Sequence, residues 1–399
     1  MKFSSRIEKC ELSPIRKFRP YMVAAQERGI KVYHLNIGQP DVETPQVFFD
    51  AVRKFDEKVL EYAPSYGVDE FVDAVRDYYE KLGVALRKED ILATYGGSEA
   101  LQILFSCILD EGDEVLVPEP YYPNYDTFIR MTGGAIRPIP TCAEEGYRFA
   151  TRERIEPLIN ERTRAILFAN PGNPTGLVLT EEEMQTLVDI AAERNLCIIS
   201  DEVYRELAYG GRKAVSMLAY TEAAENVVVV DSVSKRFSAT GSRVGVLVSR
   251  NEQLMAHAMK ICQGRLCTAT LDQVGAAAMY RTLDEDYYEA LRAEYQRRRD
   301  AVVEGLNKIP GVKFSEPEGA FYLMVTLPVD DSEKLLYFLL QEFNDQGETM
   351  MYAPGRGFYA TPGKGLNEIR IAYVIAPEEL SRAIELLGLG IQAYNAKEE

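Results

Sequence analysis

Between residues 90 and 250, short apolar runs alternate with stretches of helical period. The runs are Glu114–Val117, Ala165–Ala169, Leu196–Ile199, Val227–Val230 and Val244–Val248. Strand-length runs separated by helical stretches predict an α/β domain built on a mostly parallel sheet flanked by helices. Ahead of this region, Glu70–Leu82 reads as an amphipathic helix, and a second helix is expected from Gly96 to about Leu109. A long polar helix follows over Glu285–Lys308. Beyond Pro310 the pattern becomes mixed, with a strand over Gly319–Val325, a helix over Ser332–Asn344 and a strand over Glu368–Tyr373. That mixture predicts a smaller α+β domain. The first 45 residues are turn-rich and are expected to pack with it, since chain ends often lie close together. The expected partition is a large domain over 46–284 and a small one over 1–45 and 285–399, including the connecting helix.

A chain of 399 residues, 46% hydrophobic and 27% charged, has ordinary globular composition and room for a large core. Acidic residues number 62 against 45 basic ones, a net charge of −17. Such a surface repels phosphate backbones, and no basic patch offsets it, so no nucleic-acid partner is expected. Apolar runs such as Val227–Val230 are far too short to cross a bilayer. Near the N-terminus, Lys2, Arg6, Glu8 and Lys9 are followed by no apolar stretch, so a signal peptide is not expected and the protein reads as cytoplasmic. Cys10, Cys107, Cys142, Cys197, Cys262 and Cys267 form no Cys-x-x-Cys, and His34 and His257 are the only histidines. No metal site is expected from this set, and the thiols read as reduced.

The chemistry gathers where the apolar runs end. After the first four come Pro118-Glu119-Pro120-Tyr121-Tyr122, Asn170-Pro171-Gly172-Asn173-Pro174-Thr175-Gly176, Ser200-Asp201-Glu202-Val203-Tyr204 and Asp231-Ser232-Val233-Ser234-Lys235. Open α/β sheets bind ligands at the carboxyl ends of their strands, so these four ends predict one pocket. Lys235 is the candidate nucleophile. A partly desolvated amine near another cation loses its charge and attacks aldehydes. Ser232, Ser234 and Arg243 could hold an anion beside it, most simply a phosphate. An aldehyde carrying a phosphate is pyridoxal 5′-phosphate. That group needs a carboxylate at its pyridine nitrogen, for which Asp201 is the candidate. Its phenolic oxygen needs donors, and Asn173 and Tyr204 suit. Its phosphate favours a glycine-rich turn into a helix, which Gly96-Gly97-Ser98-Glu99 offers, and Tyr122 could cover its ring.

Taken together, these segments resemble the class I and II aminotransferases of PLP fold type I, most closely the aspartate aminotransferase branch. The resemblance runs from Asn36-Ile37-Gly38-Gln39-Pro40-Asp41 to Arg370-Ile371-Ala372-Tyr373 and is most specific over Ser232–Gly245. It implies that Lys235 is the attachment lysine and proton shuttle, and that Asp201 pairs with the pyridine nitrogen. It implies that Gly97, Ser98, Glu99, Ser232, Ser234 and Arg243 form the phosphate cup. Arg370, helped by Gly38 and Asn173, would hold the substrate α-carboxylate. Tyr62 would reach the phosphate of a neighbouring subunit, making a homodimer with shared active sites. The implied activity moves an amino group between an α-amino acid, aspartate or similar, and a 2-oxo acid of the 2-oxoglutarate type, in ping-pong fashion. A carbon–sulfur β-lyase on the same fold is the main alternative, and a non-catalytic sensor a remote one. Two departures stand out: the chain has no Trp, so Tyr122 occupies the ring-stacking position, and Leu266–Thr270 lacks the Asn or Pro of many relatives. Arg16 and Arg356 are each candidates to meet a substrate side-chain carboxylate.

Overall fold

The protein was analysed as a computed structural model that describes residues 1–398. Its centre is a seven-stranded sheet. Across the sheet the strands run Ile91–Thr94, Gly245–Ser249, Val227–Ser232, Cys197–Asp201, Thr163–Ala169, Glu114–Glu119 and Ala135–Pro140. The last five are mutually parallel, whereas Gly245–Ser249 runs antiparallel to both of its neighbours. Every residue of Val227–Ser232 is buried, which is why the run is apolar without alternation. One apolar cluster on each side of the sheet closes it, and the helices Asp69–Lys81 and Gly96–Ile108 belong to opposite clusters.

The mostly parallel sheet is as expected, with strands displaced by a residue or two. Two strands lacked a readable signal. Ala135–Pro140 is an edge strand carrying Pro138 and Pro140, and its burial is only partial, so it has no apolar run. Ile91–Thr94 has only four residues.

A third apolar cluster draws on both chain ends. Tyr322–Thr326 and Glu368–Ala372 pair antiparallel at the centre of a four-stranded sheet. Lys31–His34, near the N-terminus, runs parallel to Glu348–Met351, and helix Arg19–Glu27 packs on helix Ser332–Gln341. The N-terminal segment thus pairs and packs with the C-terminal region. The strand predicted from Gly319 starts only at Tyr322, because Ala320 takes a left-handed φ of 56° and turns the chain first. The polar helix spans Glu285–Leu306, and a further helix, Pro377–Glu398, packs along it.

Strand register sets the site. Ala169 lies opposite Asp201, and Asp201 opposite Val230, so three strands end at one level. The residues that follow them are thereby brought side by side. Gly245 lies against Gly96, where a Cβ would sit 2.6 Å from the Gly96 carbonyl carbon. This close approach fixes the start of helix Gly96–Ile108 over the same edge.

Candidate functional site

At this edge opens a cleft of ≈ 700 Å³. Lys235, Asp201, Tyr204, Asn173, Gly97, Ser98, Tyr122, Ser232, Ser234, Arg243, Gly38 and Arg370 all line it. Four strand ends, one helix start and the second sheet thus meet where the sequence placed one pocket.

Lys235 lies on the one-turn helix Val233–Arg236, whose N-cap is Ser232; its hydroxyl accepts from the Ser234 N–H. The turn is clasped from behind. The fully buried Arg236 guanidinium pairs with Asp231 at 2.6 Å, and Ser232 N–H donates to the same carboxylate at 2.7 Å. Tying residue 231 to residue 236 holds the backbone that carries Lys235. The ammonium donates to the Gly38 carbonyl at 3.0 Å. Burial pulls the Lys235 pKa down to about 8, and repulsion from Arg370 and Arg243 adds to it, against the opposing pull of Asp201. Near neutral pH a useful fraction of this amine is therefore unprotonated.

Asp201 ends its strand almost wholly buried. Burial pushes its carboxyl up to about 6, although the Tyr125 hydroxyl donates to it at 2.6 Å and Val203 N–H at 3.3 Å. Tyr204 donates its hydroxyl to Tyr322 at 3.1 Å, and the Asn173 amide reaches it at 3.5 Å. Burial holds the Tyr204 hydroxyl well above its ordinary pKa, so it stays a neutral donor. Arg243 follows a short turn with a left-handed φ of 55°, which sends its guanidinium to the Tyr95 carbonyl at 3.3 Å. A Cβ on Gly96 would fall 2.7 Å from that guanidinium, and Gly96 itself has φ +72°, so both demands select glycine.

Arg370 is 2% exposed and has no carboxylate partner among the described residues. It donates to Asn173 Oδ1 at 3.1 Å and to the Asn36 carbonyl at 2.7 Å, while its Nε has no partner. Its guanidinium stands 4.3 Å from the Tyr322 ring centroid. The antiparallel register explains the contact: Met324 lies opposite Arg370, so Tyr322 is its diagonal neighbour on one face. Gly38 closes this corner, since a Cβ there would lie within 2 Å of the Tyr322 hydroxyl, at 1.7 Å.

Two expected residues lie off the cleft. The Glu99 carboxylate turns back to its own helix start, accepting from Tyr95 N–H at 2.7 Å and pairing with Arg265 at 3.2 Å. Its side chain therefore does not line the cleft. Tyr62 is 80% exposed and does not line the cleft of its own chain. Of the two candidate arginines, Arg16 lines the cleft, whereas Arg356 points to Asp331 at 3.6 Å outside it. Sequence reasoning missed Tyr125, Tyr322, Asn36 and the Asp231–Arg236 clasp. Among the described residues no cluster of His, Cys, Asp or Glu could hold a metal, and no helix is long and apolar enough to cross a membrane.

Known proteins resemble the chain over nearly its whole length. A probable aspartate/prephenate aminotransferase of Aquifex aeolicus is 32% identical over 385 residues, 96% of each chain. A single mutant of Thermus thermophilus aspartate aminotransferase superposes with a TM-score of 0.89 at 28% identity, covering 98% of this chain and 100% of that one. Alanine aminotransferase from Pyrococcus furiosus gives a TM-score of 0.88 at 28% identity, with the same coverage. The architecture is accordingly PLP fold type I, and the activity that of an aminotransferase. The family model for "Aminotransferase class I and II" matches residues 30–387, and this chain belongs to that family.

Proposed function

We propose that the cleft holds pyridoxal 5′-phosphate and transfers amino groups between α-amino acids and 2-oxo acids, with aspartate or a similar donor and a 2-oxoglutarate-type acceptor, each acting in turn. The observation that carries this reading is an amine with a depressed pKa, Lys235, in one cleft with the uncompensated buried guanidinium of Arg370 and the buried Asp201.

The residues fit the cofactor. The Ser98 and Ser234 hydroxyls line the cleft without side-chain hydrogen-bond partners among the described residues, beside Arg243 and Gly97. These suit a phosphate. Asp201 suits the pyridine nitrogen, Tyr204 and Asn173 the phenolic oxygen, and Tyr122 the ring face. When bound, the cofactor supplies an electron sink that stabilises the carbanion left by loss of the substrate α-proton.

The chain's own groups do the rest. Arg370 offers the substrate α-carboxylate a fork whose Nε is unused, with Asn173 and Gly38 beside it. Lys235, as a neutral amine, takes the proton from the substrate Cα and returns it elsewhere on the bound ligands. The Asp231–Arg236 clasp keeps that amine in place. The exposed Tyr62 supports a two-fold assembly in which this ring meets the neighbour's phosphate.

The test combines labelling and turnover. Protein mixed with pyridoxal phosphate and then borohydride is digested and mapped; the label is expected on Lys235. A panel of amino acids with 2-oxoglutarate is expected to yield glutamate. A label on another lysine, or no glutamate from any donor, overturns the reading.

A further inference from the structure

In the empty cleft, the hydrogen bond between Tyr204 and Tyr322 points the wrong way for the proposed reaction. The Tyr204 hydroxyl donates to the Tyr322 hydroxyl at 3.1 Å, the rings standing edge to face with centroids 5.6 Å apart. Under the proposed function that same Tyr204 proton goes to the phenolic oxygen of the cofactor. A hydroxyl carries one proton, so Tyr204 cannot serve both. The Tyr322 hydroxyl accepts from Tyr204, yet its own proton finds no acceptor among the described residues. It lines the cleft with a donor in hand.

The Tyr322 side chain is fixed where it stands. Its ring lies 4.3 Å from the Arg370 guanidinium and 4.9 Å, between centroids, from the Phe321 ring. Its hydroxyl occupies the space that a side chain at Gly38 would need. Its backbone belongs to the central pair of the small sheet, opposite Ala372. Both tyrosines are buried, and burial raises both hydroxyl pKa values, Tyr204 well above its ordinary value. The charged groups that face the pair are Asp201, which raises both further, and Arg370, which works against burial at Tyr322; the Tyr122 hydroxyl is the other titratable neighbour, raising Tyr204. Two protonated hydroxyls therefore share one contact. The Asn173 amide also points at the Tyr204 oxygen, but at 3.5 Å it is a weak donor.

We propose that Tyr322 is a positioning residue for the cofactor: with pyridoxal 5′-phosphate in the cleft the bond between the two hydroxyls reverses, and Tyr322 donates to Tyr204 while Tyr204 donates to the phenolic oxygen. The proposal rests on the cofactor reading. A negatively charged phenolic oxygen attracts the Tyr204 proton more strongly than the neutral Tyr322 hydroxyl does. Rotation of two O–H bonds completes the change; the oxygens keep their places and no covalent bond forms or breaks. A donor whose own oxygen accepts a hydrogen bond is polarised, which strengthens its bond by about 10–30%. Tyr322 thus acts on the phenolic oxygen through Tyr204, without touching it.

The experiment titrates the absorbance of the bound cofactor with pH, in the absence of substrate, for wild type, Tyr322→Phe, Tyr204→Phe and the variant carrying both changes. A donor to the ionised phenolic oxygen lowers the pH at which the bound cofactor loses its proton, so a weaker donor raises that midpoint. Tyr204→Phe is expected to raise it by about 1–2 in pH, the size of a lost bond to a charged oxygen. Tyr322→Phe is expected to raise it by about 0.2–0.6, the polarisation alone. In the double variant Tyr322→Phe is expected to add nothing, because the residue through which it acts is gone. Phenylalanine keeps the ring beside Arg370, so KM for the amino donor is expected to stay within about 2-fold of wild type. An unchanged or lowered midpoint in Tyr322→Phe overturns the proposal, as does a further shift in the double variant. A raised KM with an unmoved midpoint shows that the hydroxyl only packs, and overturns it too. A wild type that takes up no pyridoxal phosphate refutes the cofactor reading itself, and the proposal with it.

Discussion

Replacing Asp201 with Asn should stabilise the cofactor-free protein while disabling it. In the fold its carboxyl is pushed from 3.8 up to about 6, chiefly by burial. Each unit corresponds to about 1.4 kcal/mol, so ionised Asp201 costs the cofactor-free fold roughly 3 kcal/mol. Because the folded state holds this proton more tightly than the unfolded chain, the cost is absent well below pH 3.8, grows through the interval to about 6 and is complete above it. Asparagine cannot ionise. Val203 N–H can still donate to Oδ1, and the Tyr125 oxygen can accept from the new amide. Weakening the bond at Tyr125 offsets about 1 kcal/mol, leaving a net gain of about 1–3 kcal/mol at pH 8. Thermal midpoints of both cofactor-free proteins, measured from pH 4.5 to 8, should show a gap that widens to about pH 7 and then stays flat. Transamination by the variant should fall about 10²-fold or more, since the pyridine nitrogen loses its counter-charge. A gap independent of pH, or a wild type more stable at pH 8, would refute the argument from burial.

Three further outcomes are expected. Arg370→Lys should lower kcat/KM at least about 30-fold, since an ammonium cannot replace the fork in a buried site; a KM near wild type would place the α-carboxylate elsewhere. The rate at which the cofactor-free protein takes up pyridoxal phosphate should rise with pH to a plateau above about 8, as Lys235 sheds its proton; a flat profile across that region would contradict its depressed pKa. Tyr62→Phe should weaken cofactor retention about 10-fold without moving the thermal midpoint of the cofactor-free protein, and sedimentation of a fully active monomer would exclude a shared site.

The convergence of these residues on one cleft was legible because parallel strands deliver the residues that follow their apolar runs to one edge of the sheet. Lys235, Asp201, Asn173 and Tyr122 each follow such a run, and the register aligns three of the strand ends. Tyr125 and Tyr322 were not legible, because each matters through a partner far away in sequence, Asp201 and Arg370 respectively. No local pattern encodes a diagonal contact across two strands. The direction of the Glu99 side chain was not legible for a local reason: its carboxylate accepts from the Tyr95 N–H of its own helix start. A Glu in a first helical turn is ordinarily spent this way. The direction of Gly245–Ser249 was equally hidden, because burial on both faces gives the same apolar run whichever way a strand points.

Buried charge sorts itself into two kinds in this protein, and the distinction points to the candidate site without any comparison. Behind Lys235, Arg236 and Arg205 are as deeply buried as Arg370, yet Asp231 and Glu202 stand within pairing distance of them. Such paired charges position the backbone and ask nothing of a ligand. Among the described residues Arg370, Asp201 and Lys235 lack ion partners: Arg370 donates only to an amide oxygen and a backbone carbonyl, and burial raises the Asp201 carboxyl and depresses the Lys235 amine. Leaving charges uncompensated in a low dielectric destabilises the fold unless something supplies the opposite sign. Under the proposed function a pyridine nitrogen faces Asp201, an α-carboxylate faces Arg370, and Lys235 is the reacting amine, so each meets the group it lacks. Ligand binding must therefore return stability that the empty cleft withholds, by RT ln(1 + [L]/Kd) for each ligand. Under that reading the cleft that carries the reaction is thus also a place where the cofactor-free chain holds charge it cannot compensate.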